Sequence, residues 1–403
     1  MIKYMWYFYS PNIIYGEDAI DFLENIKGTK CFIITDKIIE ELGYLEILTD
    51  KLEKFEKTYE IFNQVEPDPK EEIVLKAKEK CLTYAPDLII ALGGGSVIDT
   101  SKGVWVMYEY PKYGIDDIHI FNNDLYELGK KAKLIAIPTT SGTGADATYA
   151  AVISRDNNGI WQKLIQAHKG LVPTYSILDP IFPKGMPSSL TVDTGMDVLA
   201  HSMEALIANG RNEFSNALAT KAIELIFENL PIAYQDGDNM EARDNIHQAA
   251  TMAGLAFSNG NVHIGHTMGH CLGAVFQTAH GKCVGLMLKY ITQYCMNNPD
   301  KDDPTVKIYS KLAKNLGWAK WEDNDDNAAE IVIEKLIKLY KKLDFPEKIQ
   351  DIEITKEDLE NNLESLVNLC FQDASGSMCP RLPSKADFEN IYKYAFEGKD
   401  IDF

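Results

Sequence analysis

Along the first 180 or so residues, short runs of branched and aromatic side chains alternate with stretches whose apolar residues recur at helical spacing. CFIITD, at 31–36, is a compact apolar run closed by a carboxylate and predicts a strand. KIIEELGYLEILTDKLEKF follows with a helical stripe. YEIFNQV predicts the next strand and KEEIVLKAKEKCLTY the next helix. DLIIALGGGS is a buried strand running into glycines, and KLIAIPTTSGTGAD is one more. Strands that alternate with helices imply βαβ units and a parallel sheet. AAVISRDNNGIWQKLIQA predicts a hairpin turned at Asn158–Gly159.

From about Pro183 the strand pattern stops. SLTVDTGMDVLAHSMEALIANG, EFSNALATKAIELIFENLPIAY and EARDNIHQAATMAGLAFSNG all carry helical periodicity and are separated by Gly, Asn and Pro. The segments around 304–316, 326–344 and 356–370 do the same, and acidic WEDNDDN (321–327) reads as a solvated loop. The expected fold is an α/β domain over 1–182, followed by an all-helical domain over 183–403.

Composition narrows the function classes. At 403 residues the chain is too long for one core and fits two ordinary domains. Its 45% hydrophobic and 10% aromatic content is that of a soluble globular protein. The formal net charge of −20 argues against nucleic acid and against an anionic membrane surface, both of which need clustered Lys and Arg. No apolar run approaches the roughly 20 residues that span a bilayer. MIKYMWYFYSPN is apolar but aromatic, lacks a small-residue cleavage site, and reads as a strand and not a signal peptide. Seven cysteines are scattered without CxxC, so a disulfide framework is not expected and a reducing cytoplasm is.

Chemistry enters at two loops and one histidine cluster. LIIALGGGSVIDTSKG sets Gly93, Gly94, Gly95 and Ser96 at a strand end, just before a helix. Glycines let the backbone approach a pyrophosphate, and the helix offers unpaired N–H groups and the positive end of its dipole. The alternative is a tight βα turn that binds nothing, and the motif is not GxGxxG. In PTTSGTGADAT, residues Thr139, Thr140, Ser141 and Thr143 either wrap a phosphate or ribose or cap a helix. Adjacent strand ends of a parallel sheet share one crevice, which favours one ligand for both loops. Asp36 could accept hydrogen bonds from ribose hydroxyls and would repel a 2′-phosphate, which favours NAD over NADP; the alternative is an ordinary strand-end carboxylate.

Four of the eight histidines fall within eighteen residues: His263, His266, His270 and His280. Upstream, Asp197 and His201 sit four apart, on one face of a helix and one turn from each other. Imidazole and carboxylate are the ligands of a borderline divalent metal. Each residue alone reads more often as an ordinary core or surface side chain, but for the set together that reading is weak.

GGGSVIDTSK, AIPTTSGTGAD, GMDVLAHSMEA, and HTMGH followed by TAHG together resemble the iron-dependent (group III) alcohol dehydrogenases, from about residue 6 to the C-terminus. VWVMYEYP, AFSN and CPRLP are similar to the alcohol dehydrogenase half of bifunctional aldehyde–alcohol dehydrogenases. The resemblance implies a Rossmann-like dinucleotide-binding domain and a helical metal-binding domain. It implies Asp197, His201, His266 and His280 as ligands of Fe²⁺, or of Zn²⁺ in some members, and His270 as a proton relay that is not a ligand. It implies dinucleotide contacts at Gly93, Gly94, Gly95, Ser96, Asp99, Thr139, Thr140, Thr143, Thr148 and Lys163, with Asp36 linked to NAD preference. Members commonly form homodimers through the N-terminal strand, and some form larger assemblies.

The implied reaction is NAD(H)-linked interconversion of a small primary alcohol and its aldehyde on a metal. The chain departs from the family pattern at Ala145, Asp146 and Ala147, where GTGSEVT is usual, and at His263, where a small residue is usual. His263 could narrow the pocket, donate a hydrogen bond or pack against the next helix, and packing is favoured. Tyr149, Phe257, Cys271 and His263 are candidate pocket-wall residues. One rival is a metal- and NAD-dependent lyase or cyclase resembling dehydroquinate synthase. It would need several cations for a phosphorylated, carboxylated substrate, whereas 193–216 and 259–281 contain only Arg211. The other is a non-catalytic scaffold, which the intact ligand set disfavours.

Overall fold

A computed structural model of the protein describes residues 7–157 and 160–403. The chain divides into two units, Met1–Met186 and Pro187–Phe403.

In the first unit, strands β1 (Asn12–Tyr15), β2 (Lys30–Ile34), β3 (Thr58–Phe62), β4 (Leu88–Gly93), β5 (Lys133–Pro138) and β8 (Tyr175–Leu178) form one parallel sheet. The order across it is β1-β8-β5-β4-β2-β3. Alternate residues feed two cores, one on each face. Phe32, Ile34, Ile89 and Ala91 pack on one side, and Cys31, Ile33, Leu88, Ile90 and Leu92 on the other. A sheet covered on both faces needs continuous apolar strands, which is why KCFII and LIIALG show no alternation. The covering helices include α1 (Lys37–Glu41), α2 (Tyr44–Lys54), α3 (Glu71–Tyr84) and α4 (Gly95–Glu109). From β2 the order runs outward to β3, and from β4 it runs the other way to β5 and β8. The chain therefore reverses between β2 and β4, the position where open α/β sheets leave a crevice at their carboxyl ends. Strands β6 (Ala150–Asn157) and β7 (Ile160–Ala167) make a separate antiparallel pair. The expected turn at Asn158–Gly159 lies outside the described residues.

Two expectations change in this unit, and two strands were not anticipated. The stripe from Lys37 to Phe55 is two helices, because Gly43 takes φ +77 and breaks it. The N-terminal strand read across residues 1–12 falls partly on residues 1–6, outside the described ones, while 7–11 carry no strand and β1 begins at Asn12. Strands β1 and β8 went unread because four residues are too few to display a period.

The second unit is helical throughout its described residues: α5 (Ser188–Ile207), α6 (Glu213–Gln235), α7 (Met240–Gly260), α8 (Ile264–Phe276), α9 (His280–Met296), α10 (Thr305–Asn315), α11 (Asp325–Lys342), α12 (Lys356–Gln372) and α13 (Lys385–Glu397), with short 3₁₀ turns between. One apolar cluster runs through it. The acidic stretch 321–327 is half helix: Asn324 caps α11 through the Asn327 N–H, and Asp325 and Asp326 occupy the first turn, where a helix dipole favours negative charge. No helix among the described residues is long and apolar enough to cross a membrane. All seven cysteines are reduced and buried.

His247 on α7 is buried, and burial lowers its imidazole from 6.5 to about 4. The unfolded chain then binds more protons between those values, so stability is full above about 6.5 and falls as the pH drops toward about 4. At 1.36 kcal/mol per pKa unit, the loss from this one residue is about 3 kcal/mol. Denaturant melts of chelated protein across that range should show it, and His247→Gln should flatten the slope. An unchanged slope would assign the acid sensitivity to other groups.

Candidate metal centre and dinucleotide loops

In the first unit, the glycine loop leaves β4 at Gly93, and Gly94 sits at the cap of α4. The hydroxyl-rich loop leaves the neighbouring strand β5 at Pro138. The two loops touch. A Cβ on Gly94 would come within 3.3 Å of the Thr140 side chain, and one on Gly95 within 3.0 Å of that of Thr143. Glycine thus keeps the N-terminus of α4 open between threonine hydroxyls, an arrangement suited to a phosphate. Thr139 joins the same turn through its N–H, 3.1 Å from the Gly93 carbonyl. Across the reversal point, Asp36 follows β2 and caps α1, with Oδ1 accepting from the Ile39 N–H at 2.9 Å.

The other expected contacts have structural partners. Asp99 accepts from the Val152 N–H at 2.9 Å and lies 4.0 Å from Lys102 Nζ. Burial raises its carboxyl to about 6, against the pull of Lys102 and that N–H. Lys102 is itself buried and donates to the Thr148 and Ala150 carbonyls at 2.9 and 2.6 Å and to Thr148 Oγ1 at 3.1 Å. Lys163 pairs instead with Asp68 at 2.7 Å. The departure at 145–147 is a packing feature: all three residues are buried, and Asp146 accepts from Ser176 on β8 at 2.7 Å.

In the second unit, α5 places Asp197 and His201 one turn apart, and α8 does the same for His266 and His270. Gln277 ends α8 in the left-handed region, and three residues later His280 opens α9. That tight turn brings the third helix back to the cluster. Close approach is built in at Gly281, where a Cβ would lie 2.1 Å from the Asp193 carbonyl oxygen of α5, and at Gly265, where it would lie 2.4 Å from Glu204.

The donor atoms converge. Asp197 Oδ1 lies 3.6 Å from His201 Nδ1, 3.6 Å from His266 Nε2 and 3.3 Å from His280 Nε2. Asp197 Oδ1, His201 Nδ1 and His266 Nε2 are buried without a hydrogen-bond partner. Buried polar atoms are normally satisfied, and one carboxylate with three imidazoles fits a borderline divalent cation. The His201 ring is held between Phe257, at 4.2 Å, and His266, at 4.3 Å. Burial alone would raise the Asp197 carboxyl, but the imidazoles of His201, His280 and His266 outweigh it and hold it well below the usual range. Burial brings His201 down to about 3, with Asp197 opposing. His266 goes the other way: burial disfavours its charge, yet Glu204 and Asp197 raise it.

Two participants escaped sequence reasoning. Glu204 Oε1 lies 2.7 Å from His266 Nδ1, and its Oε2 accepts the His263 N–H at 2.6 Å. The signal was present, since Glu204 stands three residues after His201 and seven after Asp197, on one helix face. Asp373 Oδ2 lies 3.4 Å from His270 Nδ1, and nothing local marked a residue so distant in sequence. His270, partly exposed, also stacks on His280 at 5.0 Å. Burial lowers its imidazole, with Asp373 resisting. Of the expected wall residues, Phe257 touches the cluster, whereas Cys271 is buried beside Cys370, which with burial raises its thiol. Tyr149, in the first unit, lies near Lys169. His263 is buried at the start of α8, packed beside Glu204.

Residues 10–180 match the iron-containing alcohol dehydrogenase family, and residues 191–396 match the C-terminal part of the Fe-containing alcohol dehydrogenase family. Aldehyde-alcohol dehydrogenase 2 of Entamoeba histolytica is 34% identical over 97% of this chain, which spans 46% of that protein. The chain thus covers about half the length of the aldehyde-alcohol dehydrogenases it resembles. The NADPH-dependent butanol dehydrogenase of Clostridium saccharobutylicum is 32% identical over 97% of this chain and 98% of its own. The solved alcohol dehydrogenase from Oenococcus oeni superposes with TM-score 0.88 at 27% identity, over 97% of this chain and all of its own. By matches that take in both of its units, this chain belongs to the iron-containing alcohol dehydrogenase family.

Proposed function

We propose that this chain is a metal-dependent, NAD(H)-linked alcohol dehydrogenase and aldehyde reductase acting on small primary alcohols and aldehydes. The observation that carries the reading is the convergence of Asp197, His201, His266 and His280, with three of their donor atoms buried and unsatisfied. In this reading residues 1–182 bind the dinucleotide, and 183–403 hold the cation through those four side chains. Fe²⁺ is the expected ion and Zn²⁺ the alternative, since the donor set accepts both. The enzyme acts in the cytoplasm as a homodimer or larger homo-oligomer.

A bound cation supplies Lewis acidity to the substrate oxygen, and the nicotinamide supplies or takes the hydride. The chain's own groups do the rest. Glu204 accepts a hydrogen bond from His266 Nδ1–H and leaves Nε2 as a lone-pair donor turned toward Asp197. Gly93 to Ser96, with Thr139, Thr140 and Thr143, cradle the pyrophosphate at the N-terminus of α4. Asp99, Thr148 and Lys163 support that loop or contact the dinucleotide. His270 receives the hydroxyl proton: Asp373 fixes its orientation, and its partial exposure opens a path to solvent.

Anaerobic purification with elemental analysis, then NADH and NADPH oxidation against an aldehyde panel, tests the reading. His270→Ala should retain the cation and lose about 10²–10⁴-fold in turnover with a flattened pH profile. An unchanged profile removes His270 from the proton path. Asp36→Gly should shift the kcat/KM ratio toward NADPH by about tenfold, because each 1.4 kcal/mol of relieved charge repulsion is a factor of ten. Glycine is the suitable replacement, since at an N-cap it costs only a few tenths of a kcal/mol. A constant ratio would leave Asp36 as a helix cap alone.

A further inference from the structure

The Glu204 oxygen that does not meet His266 stands beside a second cluster. His263 at the cap of α8, Cys295 near the end of α9 and Cys379 in the segment before α13 each offer a donor atom, all within 4.8 Å of one another. The three are sealed from solvent, at 1%, 0% and 0% exposure. The two Sγ atoms are 3.7 Å apart. Neither ring nitrogen of His263 makes a hydrogen bond, although Glu204 Oε2 stands 3.3 Å from Nδ1. A buried cysteine alone is an ordinary small apolar residue. A buried imidazole set against two thiols, with neither ring nitrogen hydrogen-bonded, is not, because a polar group in the core without a hydrogen bond costs free energy.

We infer that His263, Cys295 and Cys379 form a second, structural site for a thiophilic closed-shell cation, Zn²⁺ or Cu⁺, separate from the centre at Asp197. Two thiolates and an imidazole are the donors such ions prefer, and a carboxylate against one imidazole nitrogen is the usual support for ligation through the other. A Cys295–Cys379 disulfide accounts for less, since it gives the buried His263 imidazole no role. The ion would tie the segment carrying Cys379 to α8 and α9. That segment also carries Asp373, the partner of His270. Asn209 already grips it, donating to the Cys379 carbonyl at 3.0 Å.

The test uses Co²⁺ as the probe, in a His280→Ala variant of this chain whose first centre lacks a ligand. Anaerobic loading should give a thiolate-to-cobalt charge-transfer band in the near ultraviolet, bleached by added Zn²⁺. An all-nitrogen-and-oxygen centre cannot produce that band. Adding Cys379→Ser or His263→Gly should abolish it. Absence of the band in the chain with intact cysteines overturns the site, and this arm does not depend on the cysteine variants folding. Finding two fewer titratable thiols than the seven reduced cysteines, with no metal bound, overturns it in favour of the disulfide.

Discussion

Asp197→Ala should strip the cation from this protein and lower aldehyde reduction by about a thousandfold or more. Lewis-acid stabilisation is worth several kcal/mol, and each 1.36 kcal/mol is a factor of ten in rate. Asp197 has the largest expected effect because its Oδ1 is the atom common to the cluster, within 3.6 Å of all three imidazoles. It is also their counter-charge. His280→Ala should match it in metal loss but differ in stability. His280 stands at the partly exposed start of α9, so its truncation opens a space that water can fill. Asp197 is fully buried, and removing it leaves His266 facing one carboxylate instead of two. Elemental analysis, NADH oxidation and melting with and without chelator check both variants. A cation at 100 times its dissociation constant stabilises the native state by about 2.7 kcal/mol, an increment wild type should show and both variants should lack. Stoichiometric metal with normal turnover in Asp197→Ala would end the reading of this cluster as a metal centre.

The sequence made some of this architecture legible and hid the rest for physical reasons. Buried parallel strands announce themselves as unbroken apolar runs, so β2, β4 and β5 were readable along with the loops that follow them. A break at Gly43 was not, because one glycine inside a helical stripe is tolerated at a cost of about 1 kcal/mol and does not by itself mark an end. At the site, four-residue spacing set Asp197 with His201 and His266 with His270, each pair on one helix. Spacing does not report which pairs from different helices meet, and the choice among four clustered histidines came from resemblance. His263 shows the limit most clearly. It lies three residues before His266 yet faces Cys295 and Cys379, more than thirty and more than a hundred residues further along. Ser154 and Lys163 are likewise cross-strand neighbours on β6 and β7, but the charge on Lys163 goes to Asp68, outside the hairpin. Contacts set by packing between elements leave no periodic trace in the chain.

Glu204→Gln should weaken cation binding by about 10–100-fold, the range found when a group supporting a metal-ligating imidazole is removed. The substitution preserves shape, so the effect isolates charge and acceptor count. As a carboxylate, Glu204 only accepts: Oε1 faces His266 Nδ1, and Oε2 takes the His263 N–H. Glutamine has one acceptor oxygen and would turn an NH₂ group toward whichever donor is left. If the amide faces His266, the imidazole loses the partner that holds its proton on Nδ1, and Nε2 is no longer fixed as the donor. If it faces His263, a buried N–H is orphaned at the start of α8, at a cost of about 1–3 kcal/mol. Both outcomes lower the melting temperature, but only the first lowers metal affinity, so the two readouts together report which way the amide turns. The carboxyl is held near 2 in the native state: burial raises it, while His266 and His263 lower it further. Its contribution to stability is present above the unfolded value of 4.5 and is lost as the pH falls toward about 2. Glu204→Gln should remove that acid-side slope. A variant that keeps wild-type metal affinity, melting temperature and acid slope would show that this carboxylate neither orients His266 nor holds α8.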